Sequence, residues 1–420
     1  MNDASGVAAL TFDELKDTVQ GTAAAFRVVT KLLPAGGPSD KVFPPTYEGA
    51  RYATEKRLVD GVEVQTVLLD SVQSQANRME LALRSAYERG DVRFPLPVVD
   101  FSGSIPHLGK ITALDAPHRV ADAIFRDSQI GGRAFRDSPE GRSFTDAKPA
   151  NATALFAMCP TALIFGLWDS TGPRGGAGAK FARAFVSEIV GFHATLGVKT
   201  SSRIDPLQIL AEAGPIFEQA NGGWTLDEAQ ARRDERGNPV RYGGQDGRGR
   251  PSGINHGNIL PTIQTDDQGM PLAGGVTIAY ALQTTVLSLP ALRKLRFPLA
   301  PEAGGNGQKP EAVNVAARTL LAALALVAMA YQREDGYDLR SRCLLVPSGS
   351  PGLEVVDAAG NTRQFQLGTT EAKETFGRAV DAVRAADLPW RPEEIVLTPS
   401  ENLVALIRRS EALWASASGQ

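Results

Sequence analysis

An α+β fold with strands and helices interleaved along one chain is predicted by three observations. Short segments rich in valine and leucine recur along the 420 residues, amphipathic or apolar helical stretches stand between them, and glycine and proline clusters punctuate the two kinds. A hydrophobic content of 43% and a charged content of 22% are ordinary for a soluble globular chain with a large core.

The first strand is predicted at Phe26–Leu33 (FRVVTKLL), closed by turn residues from Pro34 to Pro38. Glu63–Leu69 (EVQTVLL) is the second, and directly after it Asp70 or Ser71 can cap a helix from Val72 to about Arg89, stopped by Gly90. Ala154–Trp168 is apolar but interrupted by Pro160, which reads as two short strands or a strand and a turn. A glycine-rich loop leads into a helix over Lys180–Phe192, followed by strands around Ala194–Ser201 and Val276–Leu289. The C-terminal third holds a core helix after Ala312, a strand near Arg342–Val346 and amphipathic helices at Glu371–Ala386 and Ser400–Ala415. The stretch from Ala312 to Tyr331 contains Asn314 and Arg318 and leaves only about a dozen uninterrupted apolar residues, short of the roughly 20 that a bilayer needs. It is expected to be a buried core helix, with no membrane contact.

Two stretches, Arg119–Lys148 and Arg232–Ile254, are rich in arginine and glycine and lack apolar periodicity, so both are expected to be inserted arms outside the core. The N-terminus mixes acids into its apolar residues, which predicts no secretory signal. Cys159 and Cys343 lie in apolar runs, as buried reduced thiols of a cytoplasmic protein would. The net charge of −3 excludes a uniformly basic surface but not a local basic groove.

The chemistry of the sequence concentrates on anion binding. Residues 169–188 read DSTGPRGGAGAKFARAFVSE, in which glycines including Gly175 and Gly176 let backbone N–H groups approach an anion, while Arg174, Lys180 and Arg183 supply charge at a helix start. The loop fails both familiar nucleotide patterns. Ala179 separates Gly178 from Lys180, and Phe181 stands where a P-loop needs a hydroxyl and where a dinucleotide fingerprint needs its third glycine. In the helix after the second strand, Ser71, Ser74, Asn77 and Arg78 share one face that begins at its N-terminus, suited to phosphate and ribose oxygens.

Arg27 and Lys31 point to one side of the first strand, and Lys41 and Arg51 follow with Phe43 and Tyr47 interleaved, a mixture that suits single-stranded nucleic acid. Lys199, Ser202 and Arg203 form a further polar basic run, Arg248 and Arg250 lie in the second arm, and Asn255, His256 and Asn258 form a cluster just after it. A catalytic His256 would need a nucleophile and a positioned partner, and no such motif accompanies it. The four histidines show no ligand spacing, so neither catalysis nor a metal or other cofactor is expected.

Taken together, VLLDSVQSQANRME, GPRGGAGAKFARAFVSEIVG, GINHGN and the FPPTY near Phe43 resemble the backbone subunit of the type I-G (formerly I-U) CRISPR Cascade complex, in the RAMP superfamily. The resemblance implies a modified RNA-recognition-motif (ferredoxin-like) palm over about 20–118, 150–224 and 270–370, with inserted finger and thumb arms at about 119–149 and 225–265 and a C-terminal helical part over 371–420. It also implies copies of the chain polymerised along a CRISPR RNA with other Cascade subunits, holding the spacer for pairing with target DNA. The aromatic Gly-Phe-Gly-Phe-like strand of RNA-recognition motifs is not present, which suits a grip on the RNA backbone. Two other readings follow from the same residues: a nucleotide-binding enzyme centred on the loop at 172–180, and a scaffold that binds only proteins.

Overall fold

The computed structural model describes residues 7–171, 178–243, 248–266, 268–299 and 309–418. The fold is α+β, and the chain divides into two compact units. The first comprises the chain up to Pro45, Ala53–Ala194 and Ile278–Ala405, and the second Thr46–Tyr52, Thr195–Thr277 and the chain from Leu406.

The first unit is built on a sheet whose elements run in the order α1 (Phe12–Gln20), β1 (Ala25–Pro34), β2 (Thr54–Val59), β3 (Val62–Asp70), α2 (Val72–Glu88), β4 (Phe185–Phe192), β5 (Tyr280–Ser288), α3 (Pro310–Glu334), β6 (Leu344–Pro347), β7 (Leu353–Val356), β8 (Thr362–Phe365) and α4 (Thr369–Ala385). In space the strands lie β6-β1-β5-β4-β3-β2, every neighbouring pair antiparallel, with β7 also against β1. Thr11 and Ser71 cap α1 and α2 by accepting from the Glu14 and Ser74 amides.

Period-two alternation decides which face each side chain joins. On β1, Phe26, Val28, Thr30 and Leu32 are buried while Arg27, Val29 and Lys31 face the other way. Beneath the buried face lie α2 and α3, reached by polar side chains as well as apolar ones: Gln75 of α2 and Gln332 of α3 both accept from the Gln283 side chain on β5, at 2.8 and 2.9 Å. α3 is long and apolar enough to cross a membrane, but 89% of its most apolar window is buried inside the protein. It is the core helix that the sequence predicts.

The sequence and the structure differ at five places. The expected helix over Lys180–Phe192 is β4 from Phe185 onward, because FVSEIVGF is β-branched and aromatic and pairs with β3 on one side and β5 on the other. Ala154–Trp168 forms helices Thr153–Met158 and Pro160–Phe165, with Pro160 in the first turn, where its missing N–H costs nothing. The supposed arm at 119–149 belongs to the first unit: Phe125, Phe135 and Phe144 are buried there, and Arg119 forms a two-pronged ion pair with buried Glu80 at 2.6 and 2.9 Å. The C-terminal helical part contains a strand, Glu394–Pro399, parallel to Leu96–Asp100 in a second five-stranded sheet. The palm segments also end and resume differently, since 195–224 and 270–277 join the second unit.

The second unit contains short antiparallel ladders: Thr195–Val198 with Ala273–Thr277, Thr200–Arg203 with Ile259–Ile263, and the hairpin Phe217–Gln219 with Gly223–Thr225. Leu196, Ile204, Leu207, Trp224 and Leu260 are exposed on it.

Burial pushes the Glu80 carboxyl from an ordinary 4.5 up to about 7, against the pull of Arg119. The folded state therefore takes up a proton at Glu80 more readily than the unfolded chain between those values, and this contribution to stability rises as pH falls through that window. Arg119→Ala strands the carboxylate, so it is expected to lower unfolding free energy by about 3–5 kcal/mol at pH 8. The deficit should shrink at pH 6, and urea denaturation at the two pH values measures both.

Candidate nucleic-acid interface

The face of the main sheet opposite α2 and α3 gathers the first group of basic residues. Register sets Arg27 beside Val286 and Val186, Val29 beside Thr284 and Glu188, and Lys31 beside Leu282 and Val190, three rows across β1, β5 and β4. Arg27 pairs with Glu354 on β7 at 2.6 Å, and Arg57 on β2 reaches Glu188 at 2.8 Å. The Glu188 hydrogen bond holds the Arg57 guanidinium above its usual value, with burial opposing. Lys31 is exposed, with Nζ 5.1 Å from the centre of the Tyr280 ring, itself stacked on Phe192 at 5.3 Å. Arg57 belongs by sequence to the same basic set as Arg27, Lys31, Lys41 and Arg51, whereas buried Phe192 and half-buried Tyr280 are not legible in the sequence as part of this face, because only the register brings them to it. Lys41 sits half-buried in the loop after β1.

The polar row on α2 is turned to a different task. Ser71 is a helix cap, Ser74 donates to Asp70 at 2.8 Å, and Arg78 Nε donates to Asp70 at 2.9 Å while its terminal nitrogens donate to the carbonyls of Asp338 and Leu339. Asp70 has no exposed surface, so these donors supply what solvent cannot. Asn77 remains exposed.

Arg174, Gly175 and Gly176 lie outside the described residues. At the end of the loop, Lys180–Phe181 is a strand and not a helix start, paired with Leu167–Trp168 so that Lys180 Nζ lies 5.2 Å from the Trp168 ring centre. The helix-dipole part of the anion-binding expectation therefore falls away. Arg183 Nε donates to the Phe165 carbonyl at 2.9 Å, and burial, helped by Arg119, lowers its guanidinium below the usual value.

In the second unit, two clusters far apart in sequence come together. The ladder that aligns Arg203 with Ile259 brings Asn258 to the Asp205 amide, whose proton its Oδ1 accepts at 2.7 Å, and Asp205 in turn accepts from the Gly257 amide at 2.6 Å. That Gly257 bond, with the Leu207 and Ile209 amides and Arg203 assisting, holds the Asp205 carboxyl below its usual range against the opposing effect of burial. Asn255 adopts left-handed geometry at φ 59°, where asparagine is well tolerated. Lys199, Ser202, Arg248, Arg250 and Asn255 are exposed, and Arg203 and His256 half-exposed. Arg51 is exposed in the separate Thr46–Tyr52 segment of this unit. Among the described residues no group of three or more His, Cys, Asp and Glu side chains is placed to hold a metal ion.

Residues 26–196 match the family model of CRISPR-associated protein GSU0053. The matched span, somewhat under half of the chain, runs from β1 through β4 and includes the polar helix and the glycine-rich loop. It supports a CRISPR-associated role. Among curated proteins none matches the chain.

Arg78→Ala is expected to cost about 2 kcal/mol in stability, since it removes a charged donor from a buried carboxylate. A melting temperature equal to wild type together with weaker RNA binding would instead return Arg78 to the ligand face.

Proposed function

We propose that the chain is a guide-RNA-binding backbone subunit of a type I-G Cascade complex, which polymerises along the CRISPR RNA in the cytoplasm and presents its spacer for pairing with target DNA. The observation that carries this reading is the strand order β6-β1-β5-β4, all antiparallel, with α2 and α3 on one face, inside and beyond a span that matches a CRISPR-associated family. Such a four-stranded sheet serves as an RNA-recognition-motif palm in RNA-binding proteins. Its face opposite the helices carries Arg27 and Lys31, β2 farther along the sheet carries Arg57, and the hairpin before β4 has an exposed Lys180. Cations that meet phosphate and ribose leave base edges free, so sequence readout passes to the guide.

The second unit takes the part of a finger or thumb. Its exposed Leu196, Trp224 and Leu260 on two-stranded ladders, with Ile204 and Leu207 in the loop after one of them, suit docking on a neighbouring copy or another Cascade subunit, because a ladder of two strands is marginal alone. The role needs no catalysis, cofactor or metal.

Lys31→Ala and Lys180→Ala are each expected to weaken guide binding and to reduce the magnitude of its log-affinity against log-salt slope by about 0.7 for each phosphate that the variant no longer neutralises. Guides that share their repeat-derived ends but differ in spacer should bind within a few fold of one another. Unchanged slopes in both variants, or a hundredfold preference among spacers, contradicts the proposal. Tight ATP or GTP binding by protein without affinity for RNA supports the nucleotide-enzyme alternative.

Deletion of 232–254 is expected to leave the melting of the first unit near wild type while abolishing assembly along the guide, because this segment lies wholly inside the second unit. Calorimetry and size-exclusion chromatography with guide RNA read the two effects. Unfolding of the whole chain would place the arm in the core.

A further inference from the structure

The short hairpin ahead of β4 holds an indole outward on a fixed backbone. We infer that Trp168 is a stacking platform for one nucleobase of the bound RNA, with Lys180 beside it meeting the adjoining phosphate. The inference rests on the guide-binding reading above and adds to it a contact with a base face.

Trp168 and Lys180 are direct cross-strand partners, and the neighbouring pair is Leu167 and Phe181. Leu167 and Phe181 are 6% and 4% exposed, whereas Trp168 is 54% exposed. Alternation along the strand thus pins two apolar side chains inward and sends the indole and the ammonium out on the same face. Beneath them the backbone is held from several sides. The Asp169 amide donates to the Ala179 carbonyl at 2.9 Å, and the buried Asp169 carboxylate accepts both terminal nitrogens of Arg136. Arg119 donates to the Gly166 carbonyl at 3.0 Å and Arg183 to that of Phe165 at 2.9 Å. Gly166 itself has φ +85°, and a Cβ there would come within 3.0 Å of the Arg183 amide nitrogen, so the chain enters the hairpin along a path closed to other residues.

A ring fixed in this way has already lost the freedom that binding would cost. The surroundings select the ligand. Ser170, Thr171 and Ala182, exposed residues close to it in sequence, are small or polar. The Lys180 ammonium stands over the indole, 5.2 Å from the ring centre, and a half-exposed ring with a cation so close matches a nucleotide, whose base stacks on exposed ring surface while its phosphate meets the charge. Every base offers such a face, so stacking at Trp168 is compatible with indifference to spacer sequence and leaves the pairing edge open.

The test measures binding of a single-stranded guide RNA, and of the same RNA with abasic sites through the spacer, to full-length wild type, Trp168→Leu and Trp168→Phe. Trp168→Leu is expected to weaken binding of the intact RNA by about 5- to 100-fold without changing the salt slope, and Trp168→Phe to weaken it much less. On abasic RNA, Trp168→Leu and wild type should bind alike. Equal affinity of Trp168→Leu and wild type for intact RNA overturns the stacking role while guide binding stands, as does an equal loss on intact and abasic RNA. A wild type that binds no RNA overturns the guide-binding reading and this inference with it. Normal RNA affinity with lost self-assembly in Trp168→Leu overturns the inference in favour of a protein contact.

Discussion

A carboxylate with no exposed surface must find its hydrogen bonds within the protein, and the one at Asp70 draws together most of the elements on the covered side of the main sheet. It accepts from Ser74, Gln75, Arg78 and Arg340, so the end of β3, the first two turns of α2 and the segment between α3 and β6 are set by one group. Gln75 passes the connection on: it accepts from Ser187 on β4 and Gln283 on β5, while Gln283 also bonds to Gln332 of α3 and accepts from Tyr337. Each member of this chain has a partner within 3.2 Å, a requirement that an apolar layer would not impose, and it fixes how the helices lie on the sheet.

The same arrangement explains which side chains the other face carries. With α2, α3 and the polar chain on one side, cations and aromatics on β1, β2, β4 and β5 are left on the opposite side. Two of these cations are paired with glutamates, Arg27 with Glu354 and Arg57 with Glu188, which lets basic residues populate a surface in a chain whose net charge is −3. Pairs at such partly exposed positions are worth little in themselves, so exchanging a glutamate for another anionic group would cost little. The buried pairs behave differently. Glu80 with Arg119 and Asp169 with Arg136 hold the backbone around the hairpin, and neither is open to exchange.

Local pattern makes the α+β class, β1, β3, α2, α3 and the α4 helix readable in the sequence, because each has one apolar periodicity and a capping or breaking residue at its end. The strand β4 reads as a helix from sequence since its apolar residues do not alternate cleanly with polar ones, and the two mostly buried apolar helices at Thr153–Met158 and Pro160–Phe165 read as strands because they too offer no clear period. The segment at 119–149 resembles an arm because its three buried phenylalanines are widely spaced, each packing into the core from a different short turn.

The chemistry of the candidate interface divides in the same way. Residue type and spacing along the chain determined that basic and polar groups cluster near β1, the glycine-rich loop and the Asn255–Asn258 segment, since side chains at short separations share a face whatever the fold. Which of those groups face solvent was decided only by tertiary structure. Arg78 is spent on Asp70 and two carbonyls, while Lys31 and Lys180 stay exposed. Trp168 gains its place beside Lys180 from a pairing across 12 residues, and Asn258 meets Asp205 across 53. A buried charge takes the nearest donors in space, and sequence order does not state which those are until the strands have paired.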